Sequence, residues 1–122
     1  GRSVGALDLP WLAYAIEINA PKFLALTRFD MLSGLWRVPV VTRYCLDGKP
    51  VPMGEVPSTA DLYRVKPRIE YWPGFDEDIT GVHEEVVLPS AGRDILIRLE
   101  ELMGVPIRLV GTGPGLHDLI VR

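Results

Sequence analysis

The sequence predicts an α/β fold, a mixed sheet with flanking helices, and three observations carry that expectation. Apolar runs of strand length recur at Phe23–Leu26, Val38–Cys45, Pro67–Trp72, Ile107–Val110 and Leu119–Val121. Two stretches of helical length, Leu9–Asn19 and Ser90–Met103, stand between them. In the second, Ile95, Leu99 and Leu102 recur at helical spacing, with Leu96 and Met103 widening the stripe. The resulting order, αβαββ…βαββ, combines helix-connected strands with hairpin neighbours. At 122 residues the chain is one domain or part of one, with no internal boundary expected.

Each element has a local reason. Asp8 is placed to cap the first helix, Pro10 falls in its first turn, and Pro21 stops it. From Leu9 to Asn19 nearly every residue is apolar, a composition expected of a helix buried on more than one side. After the strand Phe23–Leu26, the turn Thr27–Asp30 leads into a short helical segment ending near Leu35. Pro39 is expected at the entry or edge of the strand Val38–Cys45. Asp47-Gly48 signals a tight hairpin, with a return strand around Val51–Met53. One helical turn is expected at Thr59–Tyr63, and Pro73-Gly74 should end the strand Pro67–Trp72. Asp76, Glu77 and Asp78 read as a loop, and Val86–Leu88 as a short extended piece. Ser90 sits where a helix cap belongs, Gly104 where a left-handed stop belongs, and Pro106 prevents continuation.

Composition excludes several classes. Apolar residues make up 48% and charged residues 24%, ordinary for a globular chain. A net charge of −3 argues against a sequence-independent nucleic-acid binder, which needs a basic face. No apolar run approaches the roughly 20 residues that span a bilayer, and no signal-peptide pattern opens the chain. The single Cys45 cannot form an internal disulfide and fits a small apolar residue in a reducing, cytoplasmic compartment. The chain opens on Gly1 rather than Met, which reads as a fragment or a processed chain.

Two stretches carry chemistry. Thr27-Arg28-Phe29-Asp30 closes an apolar strand, and ligands of open α/β sheets collect at such strand ends. The Asp carboxylate can accept the ring N1–H and the exocyclic amine that guanine offers and adenine lacks. A cation on a long apolar stem can lie over the base. Far along the chain, Gly111-Thr112-Gly113-Pro114 could bring bare backbone to the same ring. Each has a plainer reading: Asp30 as the N-cap of the next short helix, and the glycines as a turn needing positive φ. A match to Thr/Asn-Lys/Arg-x-Asp arises by chance in roughly one chain in ten or twenty of this length. No Gly-x-x-x-x-Gly-Lys-Ser/Thr phosphate loop is present. His83 and His117 lack ligands at metal spacing, and the acidic loop lacks the pattern of an EF-hand. No general acid–base pair or activated nucleophile can be nominated, so no catalytic residue is assigned.

Taken together, further stretches make the sequence resemble the adenylosuccinate synthetase family over essentially its whole length. They are Gly5–Asp8, Leu26-Thr27-Arg28-Phe29-Asp30 with Met31–Leu35, Tyr44–Gly48, Tyr71–Phe75, Ile97–Pro106 and Gly111–Pro114. The resemblance implies the C-terminal portion of a larger, P-loop-NTPase-like α/β enzyme. That family phosphorylates the 6-oxygen of IMP with GTP and lets the aspartate amine displace the phosphate, in purine biosynthesis. By the same resemblance Thr27, Arg28, Phe29 and Asp30 match its guanine-reading strand end, and Gly111, Thr112 and Gly113, with Pro114 following, its second guanine-contacting loop. Arg2 matches the end of an arginine-rich loop that contacts aspartate and nucleotide. GTP is implied as substrate, with magnesium in the complete enzyme but no magnesium ligand among these residues. The partners implied are a guanine nucleotide, the missing N-terminal portion and a second copy, the family being dimeric, with neither nucleic acid nor membrane.

Two positions depart from the family pattern: Arg28 stands where Lys is common, and Ala6 where Trp is common. The phosphate loop, the catalytic Asp and His and the magnesium site belong to family segments absent from this sequence. The chain alone is therefore expected to be inactive. The alternatives are a non-catalytic nucleotide-binding or assembly module derived from the family, and a diverged relative whose pocket no longer prefers guanine.

Overall fold

In a computed structural model, residues 7–55, 58, 61 and 63–122 are described. They form seven strands and two α-helices. These are β1 (Leu7–Asp8), α1 (Leu9–Asn19), β2 (Leu24–Leu26), β3 (Leu35–Leu46), β4 (Lys49–Pro50), β5 (Val65–Phe75), α2 (Ser90–Met103), β6 (Ile107–Gly111) and β7 (Leu119–Val121). Single 3₁₀ turns cover Phe29–Leu32 and Glu85–Val87. The strands fall into two sheets, each mixing parallel and antiparallel pairs, so the α/β mixed-sheet class holds. Contacts cluster into two compact units. One gathers Pro21–Val38 and Pro73–Arg122; the other holds β1, α1 and Pro39–Trp72. The turn expected at Thr59–Tyr63 lies largely outside the described residues.

In the unit holding α1, β1 pairs in parallel with β3, Leu7 opposite Val40 and Asp8 opposite Val41. Asp8 caps α1 as expected: its Oδ1 accepts the Trp11 N–H at 3.0 Å. Its Oδ2 accepts the Tyr44 hydroxyl from β3, tying the helix start to the sheet. Ala20, in the left-handed region at φ 44°, closes the helix by donating to the Ile16 carbonyl at 2.8 Å. The expected burial of α1 is not found. Only Leu9 and Pro10 are buried, while Trp11 is 46% and Ile18 60% exposed. This helix therefore presents apolar side chains that nothing among the described residues covers.

The hairpin forms at Asp47 (φ 53°) and Gly48 (φ 81°), the pair of positive φ angles that a type I′ turn requires. Its return strand is shorter than expected. β4 stops at Pro50, Val51 adds one bond to the Tyr44 carbonyl at 2.8 Å, and Pro52 has no N–H to continue the ladder. Conversely, β3 starts three residues early, at Leu35, with Pro39 inside it rather than at its entry. β5, paired to β3, runs through Pro73-Gly74 to Phe75. Gly74 permits this continuation: a Cβ there would stand 2.0 Å from the Leu35 carbonyl oxygen, so only a bare backbone fits.

The other unit is built on β2, β6 and β7. β2 and β6 run parallel, Leu26 opposite Val110, with a bulge between the Leu24–Ile107 and Ala25–Leu109 pairs. β7 returns antiparallel to β6, Gly111 opposite Leu119. Ile95, Leu96 and Leu99 of α2 are buried, as are Ile107, Val110 and Ile120 of the sheet. Leu102, expected in the same stripe, is mostly exposed. Gly92 lets α2 lie close to Phe75 and Phe29: a Cβ there would meet their rings at 3.4 and 3.7 Å. Ser90 does not cap α2. It is the first helical residue, and the Pro89 carbonyl accepts the Arg93 N–H at 3.1 Å. Gly104 ends the helix as expected, at φ 71°, donating to the Glu100 carbonyl at 2.8 Å. Val86–Leu88 is not extended. Val87 and Leu88 donate back three residues, and no residue of the resulting 3₁₀ turn is buried, whereas Leu88, just after it, is. Glu100 accepts the Ile107 N–H at 2.7 Å and the Arg122 guanidinium at 3.1 Å, and Arg122 also meets Glu85 at 3.0 Å. This ion network clamps the start of β6 to α2.

No helix among the described residues is long and apolar enough to cross a membrane. Partial burial, reinforced by the Asp8 carboxylate, pushes the Tyr44 hydroxyl up to about 12. The neutral phenol thus favours the folded state. That stabilisation is complete below the unfolded value of about 10 and falls away as pH rises through the folded one. A 295 nm titration should show a late phase that is absent in Tyr44→Phe. A single transition near 10 with no such phase would refute it.

Candidate functional site

The parallel pairing of β2 with β6 brings the two predicted segments together. Leu26 lies opposite Val110, so Thr27 and Gly111 leave their strands side by side at the C-terminal edge. A Cβ on Gly111 would stand 3.3 Å from the Arg28 N and 3.4 Å from the Leu26 carbonyl oxygen and the Thr27 Cα. Glycine therefore allows the two turns to approach at backbone distance. This is the place where open α/β sheets collect ligands.

The chain then makes a sharp change of direction. Arg28 adopts the left-handed region at φ 53°, ψ 45°, uncommon for a long side chain. The 3₁₀ turn Phe29–Leu32 follows, shorter than the helical segment expected to reach Leu35. Phe29 is buried beneath α2 and anchors the turn, while Thr27 and Arg28 stay exposed. Asp30 does not cap this turn: Arg28 occupies the cap position, and no side-chain cap bond is made. Instead the Arg28 guanidinium forks onto the Asp30 carboxylate. Nε donates to Oδ1 at 3.0 Å and Nη2 to Oδ2 at 3.1 Å. Nη2 also reaches the Met31 sulfur at 3.6 Å. Asp30 raises the guanidinium pKa against the opposing effect of desolvation, with a further charge contribution from Asp118.

The second segment is tied down from several sides. Thr112 is fully buried, its hydroxyl donating to the Val82 carbonyl at 2.8 Å. Its N–H donates to the Asp118 carbonyl at 2.8 Å, and its own carbonyl accepts from Gly81 at 3.0 Å. Gly113 is buried and Pro114 exposed. Sequence reasoning missed Asp118. Its Oδ2 accepts the Gly115 N–H at 3.0 Å, and a Cβ on Gly113 would collide with the same oxygen at 2.5 Å. An Asp three residues after a glycine-rich turn, placed to bind back to the turn's backbone, was the available signal.

The geometry thus joins Thr27, Arg28, Phe29 and Asp30 with Gly111, Thr112, Gly113 and Pro114 at one edge, and adds Asp118. Arg2 lies outside the described residues. Among the described residues no group of three or more His, Cys, Asp or Glu side chains is arranged to hold a metal ion. The arrangement offers a carboxylate, an exposed guanidinium and closely approached backbone. Those groups suit a planar heterocycle carrying N–H donors.

The sequence profile of the adenylosuccinate synthetase family matches residues 1–120. The adenylosuccinate synthetases of Mycobacterium marinum and Mycolicibacterium smegmatis are each 42% identical to this chain over 122 residues. Both alignments cover 99% of this chain and 28% of the relative. A solved structure of fully ligated adenylosuccinate synthetase from Plasmodium falciparum superposes with a TM-score of 0.88 at 29% identity. It covers 97% of this chain and 28% of that one. The chain therefore spans little more than a quarter of the length of the relatives it matches.

Gly113→Ala should destabilise the protein by about 1–3 kcal/mol, the usual range for overpacking. Adding Asp118→Ala removes the obstacle, so the double variant should lose less than the sum of the two single losses. Chemical denaturation of the four proteins measures the coupling, and strict additivity would show that the two residues do not collide.

Proposed function

The chain belongs to the adenylosuccinate synthetase family, and on that premise we propose that it supplies the guanine-nucleotide subsite of a GTP-dependent ligase joining IMP and aspartate. One observation carries the proposal: the Thr27–Asp30 turn and the Gly111–Gly113 turn meet at the C-terminal ends of adjacent parallel strands. On this reading the Asp30 carboxylate accepts the guanine N1–H and 2-amino group. The Arg28 side chain lies over the base, and the Gly111–Gly113 backbone closes on the ring. Asp118 and Thr112 are positioning residues that hold that backbone in place.

The remaining parts of the reaction are assigned elsewhere. Phosphoryl transfer works through positioned phosphates and metal ions, and residues 1–122 contain no glycine-rich phosphate loop. The phosphate cradle, the magnesium ligands and most IMP contacts belong, in this proposal, to the remainder of the longer protein. A contact of Arg2 with aspartate and nucleotide is assigned on the family resemblance alone, as part of this proposal. Assembly as a homodimer and a cytoplasmic location are part of the same proposal.

Asp30→Asn, made in the full-length protein, should weaken GTP or GDP binding by about 1.5–3 kcal/mol. It should relatively favour xanthine nucleotides, whose 2-oxo group suits an amide donor. Equal binding of GTP and ATP by the unaltered protein would remove the guanine assignment. Residues 1–122 alone should form no adenylosuccinate from GTP, IMP and aspartate, because positioning and charge stabilisation are both missing. Product above background from rigorously pure material would refute that.

A further inference from the structure

The Arg28–Asp30 pair is more than an ion pair at the rim of a pocket. The two donors that reach Asp30 are Nε–H and one Nη2–H, on adjacent nitrogens of a planar guanidinium. Guanine's N1–H and 2-amino group are the same arrangement: two nitrogens on one carbon, presenting parallel donors at the same spacing. A carboxylate accepts either edge in the same bidentate manner. The exposures show which partner faces water. The Arg28 side chain is 45% exposed and that of Asp30 only 5%. The guanidinium is thus the outer member of the pair and stands over the carboxylate. Its position is supported twice more, by the left-handed backbone at Arg28 and by the contact of Nη2 with the Met31 sulfur.

We propose that Arg28 is an internal competitor for the base-reading carboxylate, a specificity-determining residue that occupies Asp30 as guanine would and must swing away before guanine can bind. The inference rests on the guanine reading of Asp30 given above. A nucleotide that uses Asp30 binds only the fraction of molecules in which the fork is open, and its apparent affinity falls by that fraction. A nucleotide that offers Asp30 no paired donors, such as an adenine nucleotide, gains nothing from displacing Arg28 and is unaffected by the fork. Once released, the exposed guanidinium can lie flat on the purine, so the group that closes the site also covers the bound base. Lysine does not mimic guanine's edge in this way, since its ammonium is a compact point charge without two parallel donors on separate nitrogens.

The test compares dissociation constants for GDP and ADP in the full-length protein, for the unaltered sequence, Arg28→Lys and Asp30→Asn. Taking the ratio removes changes in the ribose and phosphate contacts, which both nucleotides share. Arg28→Lys should raise the preference for GDP over ADP by about three- to tenfold, as expected if the fork is closed in most unliganded molecules. Melting temperatures within a few degrees of each other establish that the variants fold. A measurement on the unaltered protein is independent of the variants. The Arg28 Nε–H, protected from exchange with water by Asp30, should lose protection with GDP and keep it with ADP. A GDP preference that is unchanged or lower in Arg28→Lys, or an Nε–H still protected with GDP bound, overturns the competition and leaves the guanine subsite standing. A preference near unity that Asp30→Asn does not alter removes the subsite itself.

Discussion

The candidate site depends on one constraint, the parallel pairing of β2 with β6. Neither turn is unusual alone. A strand ending in Thr-Arg-Phe-Asp and a strand ending in Gly-Thr-Gly-Pro are separated by some eighty residues. Their meeting follows from the register that sets Leu26 against Val110. Parallel strands need a crossover between them, and here it includes α2, whose Ile95, Leu96 and Leu99 pack into the buried core. The hydrophobic stripe on α2 therefore acts on the site at a distance. It holds the sheet whose edge brings the backbone of Gly111 against that of Arg28.

Electrostatics then divides the labour at that edge. Asp30 is almost wholly withdrawn from water, and a carboxylate in that position requires a partner. Arg28 supplies it from two residues away, across a backbone held in the left-handed region. Asp118 adds a second acidic group near the same cation while anchoring the glycine turn. The left-handed backbone and a close charge pair thus coincide at the edge where the guanine site is proposed.

Much of this architecture was legible in the sequence, for local reasons. Asp8, Pro10 and Pro21 bracket α1, Asp47-Gly48 demands the hairpin, and Gly104 ends α2, because each rests on backbone angles or a missing N–H. The failures arise where tertiary context overrides a local signal. Prolines at 39 and 73 read as strand limits, yet β3 and β5 run through them, since a proline removes one donor and not the whole ladder. Val86–Leu88 suits a strand and a 3₁₀ turn equally, and the local sequence holds no signal that decides between them. The composition of α1 suggested burial, but it reports what the helix can pack against, not what these residues provide. The Arg28–Asp30 fork could not be read at all. An Arg-x-Asp spacing does not say how the turn between them folds, and nothing in an arginine announces a positive φ.

The bulge in the β2–β6 pairing has a consequence for how this segment can vary. Ile107 and Val110 are three residues apart, so in a regular strand they would face opposite ways, yet both are buried. One additional residue on β6, between the partners of Leu24 and Ala25, shifts the phase of the strand so that both ends serve the same interior. Arg108, lying in that interval and exposed, is free in identity but not in presence. Deleting it would invert the alternation from Leu109 onward, turning Val110 outward and bringing Gly111 to the edge on the wrong beat. In β6 the count of residues is under tighter constraint than their chemistry.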